Sequence, residues 1–240
     1  MGDINTILVV KLGSTFPHLI AKQGDFDEWV IRRLNLSDDS ASVVNVVAGD
    51  KLPDNGFEGV ILTGSHNMVT ERIDWSERTA EWLRQQVKKQ TPILGICYGH
   101  QLLNYVLGGV TGANPNGMEF GNQKVNLNNA AKSDSLFSLM PKVFEGHCCH
   151  AQSALKLPAG AVCLGGNSHE PNHAVRFAEN CWGVQFHPEF DTEAARCYIE
   201  QYKDKLAKQG VDTAKLSNAV IPTPESYELI SRFANLACSV

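Results

Sequence analysis

The 240 residues, 43% hydrophobic and 20% charged, have the makeup of a globular chain that folds by burying a core; they are neither a peptide scaffold nor a disordered polymer. Lys and Arg number 21 against 26 Asp and Glu, and the net charge of −5 supplies no general positive field for phosphate backbones, which sets nucleic acid aside as the main partner. Cys97, Cys148, Cys149, Cys163, Cys181, Cys197 and Cys238 form no CxxC pair and no regular framework, so reduced thiols in a cytoplasm are expected. Met1-Gly2-Asp3-Ile4-Asn5 lacks the basic start of a signal peptide, and no apolar run approaches about 18 residues, so no leader and no membrane span are expected.

Along the chain, Ile7-Leu8-Val9-Val10 is the first short aliphatic run without polar alternation, the pattern of a strand covered on both faces of a parallel sheet. Asp25, Asp27 and Glu28 follow as an acidic helix start that complements the helix dipole, with Phe26 and Trp29 turned inward. Ser42-Val43-Val44-Asn45-Val46-Val47, Gly59-Val60-Ile61-Leu62-Thr63-Gly64 and Pro92-Ile93-Leu94-Gly95-Ile96-Cys97 repeat the strand pattern. Between the last two, residues 75–89 read as a helix, with a capping-box-like Asp74 and Glu77 and an apolar stripe of Trp75, Ala80, Trp82, Leu83 and Val87. Strand alternating with helix predicts a doubly wound α/β fold, a mostly parallel sheet flanked by helices. From residue 110 Gly and Asn become frequent, and strands near 142–149, 174–178 and 182–186 are separated by loops, which predicts an antiparallel extension. A helix over 192–208, a linker-like stretch from Leu216 to Pro222 and a last helix opened by Thr223-Pro224-Glu225 complete the reading. Tyr227, Ile230, Phe233, Ala234 and Ala237 share one face of that helix, to be covered by its own domain or, alternatively, by a homodimer partner. The expected organisation is one domain over 1–208 with a helical extension over 209–240 packed on it.

Gly95-Ile96-Cys97-Tyr98-Gly99 places a cysteine between a strand and a helix-forming run with glycine two residues to either side, the pattern of a nucleophile elbow. Small flanking residues let strand and helix approach, and the helix N-terminus favours thiolate over thiol. A thiolate nucleophile needs a base, and His187 with Glu189 two residues on offers an imidazole and a carboxylate on one side of an extended backbone.

Gly95-Ile-Cys97-Tyr-Gly99-His-Gln101 together with Gly183-Val-Gln-Phe-His187-Pro-Glu189 resembles the class I glutamine amidotransferases, most closely their GMP-synthase-like members, over about residues 5 to 200. The resemblance implies a doubly wound α/β core and a Cys-His-Glu triad that cleaves the side-chain amide of glutamine: Cys97 as nucleophile, His187 as general base and acid, and Glu189 orienting the ring. It further implies an oxyanion hole from the backbone of Tyr98 and of Gly64 or Ser65, where Leu62-Thr63-Gly64-Ser65-His66 departs from the family's L-S-G-G-P. Gln101, Glu119, Phe120 and His150 match substrate-side positions, although Ala151 and Gln152 stand after His150 where the family has Gly-Asp.

His147-Cys148-Cys149-His150 invites a zinc reading, but successive strand residues face alternate sides and cannot converge on one ion, so core packing with some active-site contact is expected and no metal. Residues 203–208 read as a solvated helix face. The function expected is hydrolysis of the glutamine side-chain amide, or of a γ-glutamyl compound, through a cysteinyl thioester and without a cofactor. The freed ammonia or amine could pass to an acceptor on a separate synthetase subunit, since no Walker-type glycine loop is present. The alternatives are a γ-glutamyl peptide hydrolase, a cysteine hydrolase of non-glutamyl substrates, and a non-catalytic regulatory protein that keeps the fold.

Overall fold

The computed structural model describes residues 6–36 and 40–239; Met1 to Asn5, read above for a leader, lie outside them. The first half alternates strand and helix: β1 (Ile7–Lys11), α1 (Pro17–Gln23), α2 (Phe26–Leu34), β2 (Ala41–Asn45), β3 (Gly59–Leu62), α3 (Asp74–Lys88), β4 (Ile93–Ile96) and α4 (Tyr98–Val106). Strands then dominate, with β5 (Val110–Ala113), β6 (Glu119–Leu127), β7 (Val143–His150), β8 (Gln152–Lys156), β9 (Val162–Gly166), β10 (Ala174–Ala178) and β11 (Cys181–Val184). The chain continues through α5 (Thr192–Gln201), α6 (Lys203–Lys208), α7 (Thr213–Asn218) and α8 (Pro224–Ala237).

One nine-stranded sheet runs in the order β2-β1-β3-β4-β11-β10-β9-β6-β7, with β5 and β8 paired apart from it. From β2 to β11 neighbours are parallel, and from β11 to β7 antiparallel, so the doubly wound core and its antiparallel extension share one sheet. Alternate residues of the central strands enter opposite cores. Ile7, Val9, Ile61, Leu94 and Ile96 pack with Val30 and Leu34 of α2 and Leu229, Ile230 and Phe233 of α8. Leu8, Val10, Val60, Leu62 and Ile93 pack with Ala80 and Leu83 of α3 and Leu102 and Leu103 of α4. Burial on both faces leaves no position for a polar residue, which is why these strands read as unbroken apolar runs.

Several expectations are corrected. β2 is the edge strand of the sheet with Val43 40% exposed, not a strand covered on both faces. Asp74 is the first residue of α3 and not its cap; Ile73 holds the cap position without a side-chain bond. The capping box belongs to α2, where Asp25 Oδ1 accepts from Phe26 N and the Asp25 N–H donates to Glu28 Oε2, both at 2.8 Å. Lys11 Nζ pairs with Asp25 and Asp27 at 2.7 and 2.8 Å, so this acidic turn also ties α2 to the end of β1. The helix expected over 192–208 breaks at Tyr202 into α5 and α6, and α7 occupies part of the stretch read as a linker. The Gly- and Asn-rich segment after 110 contains β6, nine residues long; its pairing with β7 overrides weak strand propensity.

α8 opens as expected with Pro224 at its first turn, but Thr223 makes no side-chain cap and instead accepts from the Ser226 hydroxyl at 3.0 Å. Ile230, Phe233, Ala234 and Ala237 are buried against the chain's own sheet and α2, and Tyr227 is half-buried under the Arg33 guanidinium, 3.8 Å from its ring centroid. The stripe is thus covered within the chain. Phe233→Ala, which empties a fully buried ring site, should cost about 3–5 kcal/mol in urea unfolding; an unchanged midpoint would show that α8 contributes nothing to the core.

Candidate functional site

Three adjacent parallel strands, β3, β4 and β11, end at one edge of the sheet and deliver Gly64, Cys97 and His187 to a common point. Cys97 follows β4 directly and caps α4 with φ 49° and ψ −97°, a conformation disfavoured for a residue with a side chain. The structure shows what holds it there. A Cβ on Gly95 would lie 2.6 Å from the Gly99 carbonyl group, and a Cβ on Gly99 would lie 2.6 Å from Leu62 Cβ, so only glycine at both positions lets α4 close onto β3 and β4. The Cys97 N–H donates to Val184 O at 2.8 Å and extends the β4–β11 pairing into the elbow. Tyr98 opens α4, where the first N–H groups have no intrahelical acceptor and so face the site unpaired by helix geometry.

β11 stops at Val184, so the His187–Glu189 pair is set by a turn and not by the extended strand expected from the spacing. The His187 N–H donates to His147 O at 2.7 Å, and Phe190 stacks on the imidazole at 4.0 Å between centroids. His187 Nδ1 donates to Glu189 Oε1 at 2.7 Å. Histidine and glutamate are both almost fully buried. Burial alone would strip the imidazole of its proton, but the charges of Glu189 and Cys97 and a hydrogen bond with each raise its pKa well above the usual range. A methyl group at Gly64 would stand 3.1 Å from His187 Cε1 and 3.9 Å from Cys97 Cβ, so this glycine is packed against both side chains together. Ser65 turns its hydroxyl to the Asn67 N–H, 3.2 Å away.

Cys97 and His187 line a cavity of about 210 Å³ together with Ser65, His66, Tyr98, Gln101, Phe120, Cys149, His150 and Gln152. Gln101 Nε2 donates to Gln152 O at 2.7 Å and to Gln185 Oε1 at 3.0 Å. Phe120 is wall. Glu119 does not reach this cavity: it lies behind His150 and accepts from His150 Nε2 at 2.8 Å and from Asn167 Nδ2 at 2.9 Å, with His173 Nε2 3.2 Å away. Burial would raise the Glu119 carboxyl, yet its bonds to His150 and His173 hold it well below the usual carboxylate range. Cys149 lines the cavity, where its carbonyl accepts from the Cys97 thiol at 4.0 Å. His147 is buried with both ring nitrogens unpartnered, and burial followed by the charge of His187 lowers it to about 4. Among the described residues Glu119, Cys148 and His150 have donor atoms within 4.8 Å of one another, but both Glu119 oxygens are already engaged by Asn167, His150 and His173.

The family profile described as glutamine amidotransferase class-I matches residues 19–203. The chain belongs to the glutamine amidotransferase class-I family. A GMP synthase (glutamine-hydrolyzing) of Aeropyrum pernix is 33% identical over 188 residues, covering 78% of this chain but 33% of that protein, so the chain spans about a third of the length of such relatives. Gamma-glutamyl peptidase 5 of Arabidopsis thaliana is 27% identical over 139 residues, 57% of this chain and 55% of that protein. In fold, a glutamine amidotransferase from Thermotoga maritima superposes with a TM-score of 0.75 at 21% identity, over 98% of this chain and 99% of that one.

Within this amidotransferase domain, several site residues escaped the motif reading. Gln185 anchors Gln101 from inside the Val184-Gln185-Phe186-His187 run, and its alternation with His187 was a legible signal. Asn167 and His173, which hold Glu119, come from a loop without motif, and only the folded chain brings them near. Lys205 lines the cavity instead of belonging to a merely solvated face.

None of the seven cysteines is in a disulfide, and burial pushes the thiols of Cys148, Cys149, Cys163, Cys181, Cys197 and Cys238 above the ordinary range. A diazo-ketone analogue of glutamine should therefore label Cys97 first by peptide mapping, and label found chiefly on Cys148, Cys181 or Cys238 would remove Cys97 from the nucleophile position. Because the folded His187 pKa is raised, its contribution to stability is complete below the ordinary imidazole value and is lost as pH rises through the raised one. The thermal midpoint should thus decline on the alkaline side, and His187→Ala should flatten that decline.

Proposed function

We propose that the chain hydrolyses the side-chain amide of glutamine, or of a γ-glutamyl compound, through a thioester on Cys97. The observation that carries this reading is the convergence of Gly64, Cys97 and His187 on three adjacent strand ends with His187 tied to Glu189. The Cys97 thiolate adds to the amide carbonyl, and the oxyanion is met by the N–H of Tyr98 and an N–H of Gly64 or Ser65. His187 gives its proton to the nitrogen, the C–N bond breaks, and ammonia or amine departs, leaving a thioester. Water then adds to the thioester carbonyl while its proton returns to His187. Collapse of the adduct breaks the C–S bond and releases glutamate and Cys97. Glu189 holds the imidazole in the orientation this exchange needs. Gln101, Phe120 and the backbone beside His150 hold the glutamyl portion, and Glu119 is the positioning residue of His150.

Residues 1–208 carry this chemistry, and 209–240 are a packed structural extension. Relatives more than twice as long are named as GMP synthases, which supports transfer of the ammonia to an acceptor on a separate synthetase subunit. The likeness to a γ-glutamyl peptidase, of which this chain covers over half, supports the second reading, a free-standing hydrolase of γ-glutamyl peptides. Neither reading calls for a cofactor. A cytoplasmic location belongs to this reading, in keeping with seven cysteines outside any disulfide. Ammonia release from glutamine should fall by about 10²–10⁴-fold in His187→Ala, which loses the proton carrier, and by less in Glu189→Gln, which keeps shape and some hydrogen bonding. Near-unchanged turnover in His187→Ala would overturn the triad.

A further inference from the structure

Beyond the reacting groups, the cavity is walled by rings that the release of ammonia does not require. His66, two residues after Gly64, tilts against Phe16 at 4.7 Å and stands edge-on to Phe26 at 6.1 Å between centroids. Its Nε2 shares a 2.8 Å hydrogen bond with the Tyr198 hydroxyl, which is 2.9 Å from Thr15 Oγ1, so both rings are pinned in place. Burial, reinforced by the charge of His187, lowers the His66 pKa and so favours the neutral ring. Tyr202 continues the wall, tilted against Phe120 at 5.2 Å. At its outer end Lys205 lines the same cavity, exposed, with Nζ 5.2 Å from the Tyr202 centroid and no ion pair among the described residues.

The direction of this wall follows from the chemistry. The departing nitrogen must face His187, which protonates it, and His187 touches Gly64 at the start of the His66 loop. Whatever that nitrogen carries therefore lies along His66, Tyr198 and Tyr202. The glutamyl half lies on the side of Gln101, Gln152 and His150, whose buried polar groups suit its charged end. Free glutamine would leave the aromatic wall and the ammonium of Lys205 without a partner, whereas an amine bearing a ring and a carboxylate would cover the first and neutralise the second.

We propose that the site takes γ-glutamyl amides whose leaving amine carries an aromatic or large apolar group and a carboxylate, the group packing on His66, Tyr198 and Tyr202 and the carboxylate pairing with Lys205. This specificity rests on the hydrolytic reading given above. The test compares kcat/KM, read as glutamate release, for glutamine, γ-glutamylglycine, γ-glutamylphenylalanine and γ-glutamylphenethylamide. γ-Glutamylphenylalanine should exceed glutamine and γ-glutamylglycine by about tenfold. It should exceed the phenethylamide, which lacks only the carboxylate, by about threefold, the size expected of an exposed ion pair. Lys205→Met should erase that threefold preference and Lys205→Arg keep it, while His66→Ala should shrink the preference for phenylalanine over glycine. Glutamine turned over as well as γ-glutamylphenylalanine overturns the specificity and leaves the hydrolytic reading standing, and turnover of none of the four overturns both. An equal loss on all four substrates in Lys205→Met would place Lys205 on the glutamyl side and overturn its assignment; the wild-type ranking decides the aromatic part even where a variant fails to fold.

Discussion

The site depends on how closely α4 approaches the ends of β3 and β4. Gly99 against Leu62 and Gly95 against the Gly99 carbonyl leave no room for a side chain, and that closeness forces the intervening Cys97 into a left-handed backbone conformation. Strain at one residue is sustained because the strands on either side and the helix beyond it are buried on both faces, so relaxing the elbow would open two cores at once. The result is a thiol at the tip of a sharp turn, above a helix N-terminus, beside the next strand's histidine.

The two halves of the sheet then divide the work. The parallel half brings Gly64, Cys97 and His187 together, since parallel neighbours end at the same edge and their following loops meet there. The antiparallel half supplies a pocket wall: β6 and β7 pair with Glu119 opposite His150, which brings a buried carboxylate behind a cavity-lining imidazole. α5 and α6 close the remaining side with Tyr198, Tyr202 and Lys205. Because these helices lie outside the strand–turn–helix unit that forms the elbow, their residues can change the pocket without disturbing Cys97.

α8 completes a core that includes Cys97 without itself lining the cavity. Its buried face joins α2 and the strands of the first cluster, while no residue of α8 lines the cavity around Cys97.

What the sequence by itself determined was local. Doubly buried strands are apolar throughout, an elbow needs glycine on both sides of its nucleophile, and a proline after a threonine opens a helix, so β1, β3, β4, the Cys97 turn and α8 were legible from neighbours along the chain. His187 and Glu189 were legible too, although a turn and not a strand brings them together, because two residues is a short enough reach for either geometry. Tertiary structure decided the rest. β2 looks like a central strand until its place at the edge is known, and β6 looks like a loop until β7 pairs with it. The partners of Glu119 and the wall made by His66, Tyr198 and Tyr202 join segments far apart in sequence, and no periodicity records a contact whose only cause is the way the sheet and its helices close around a cavity.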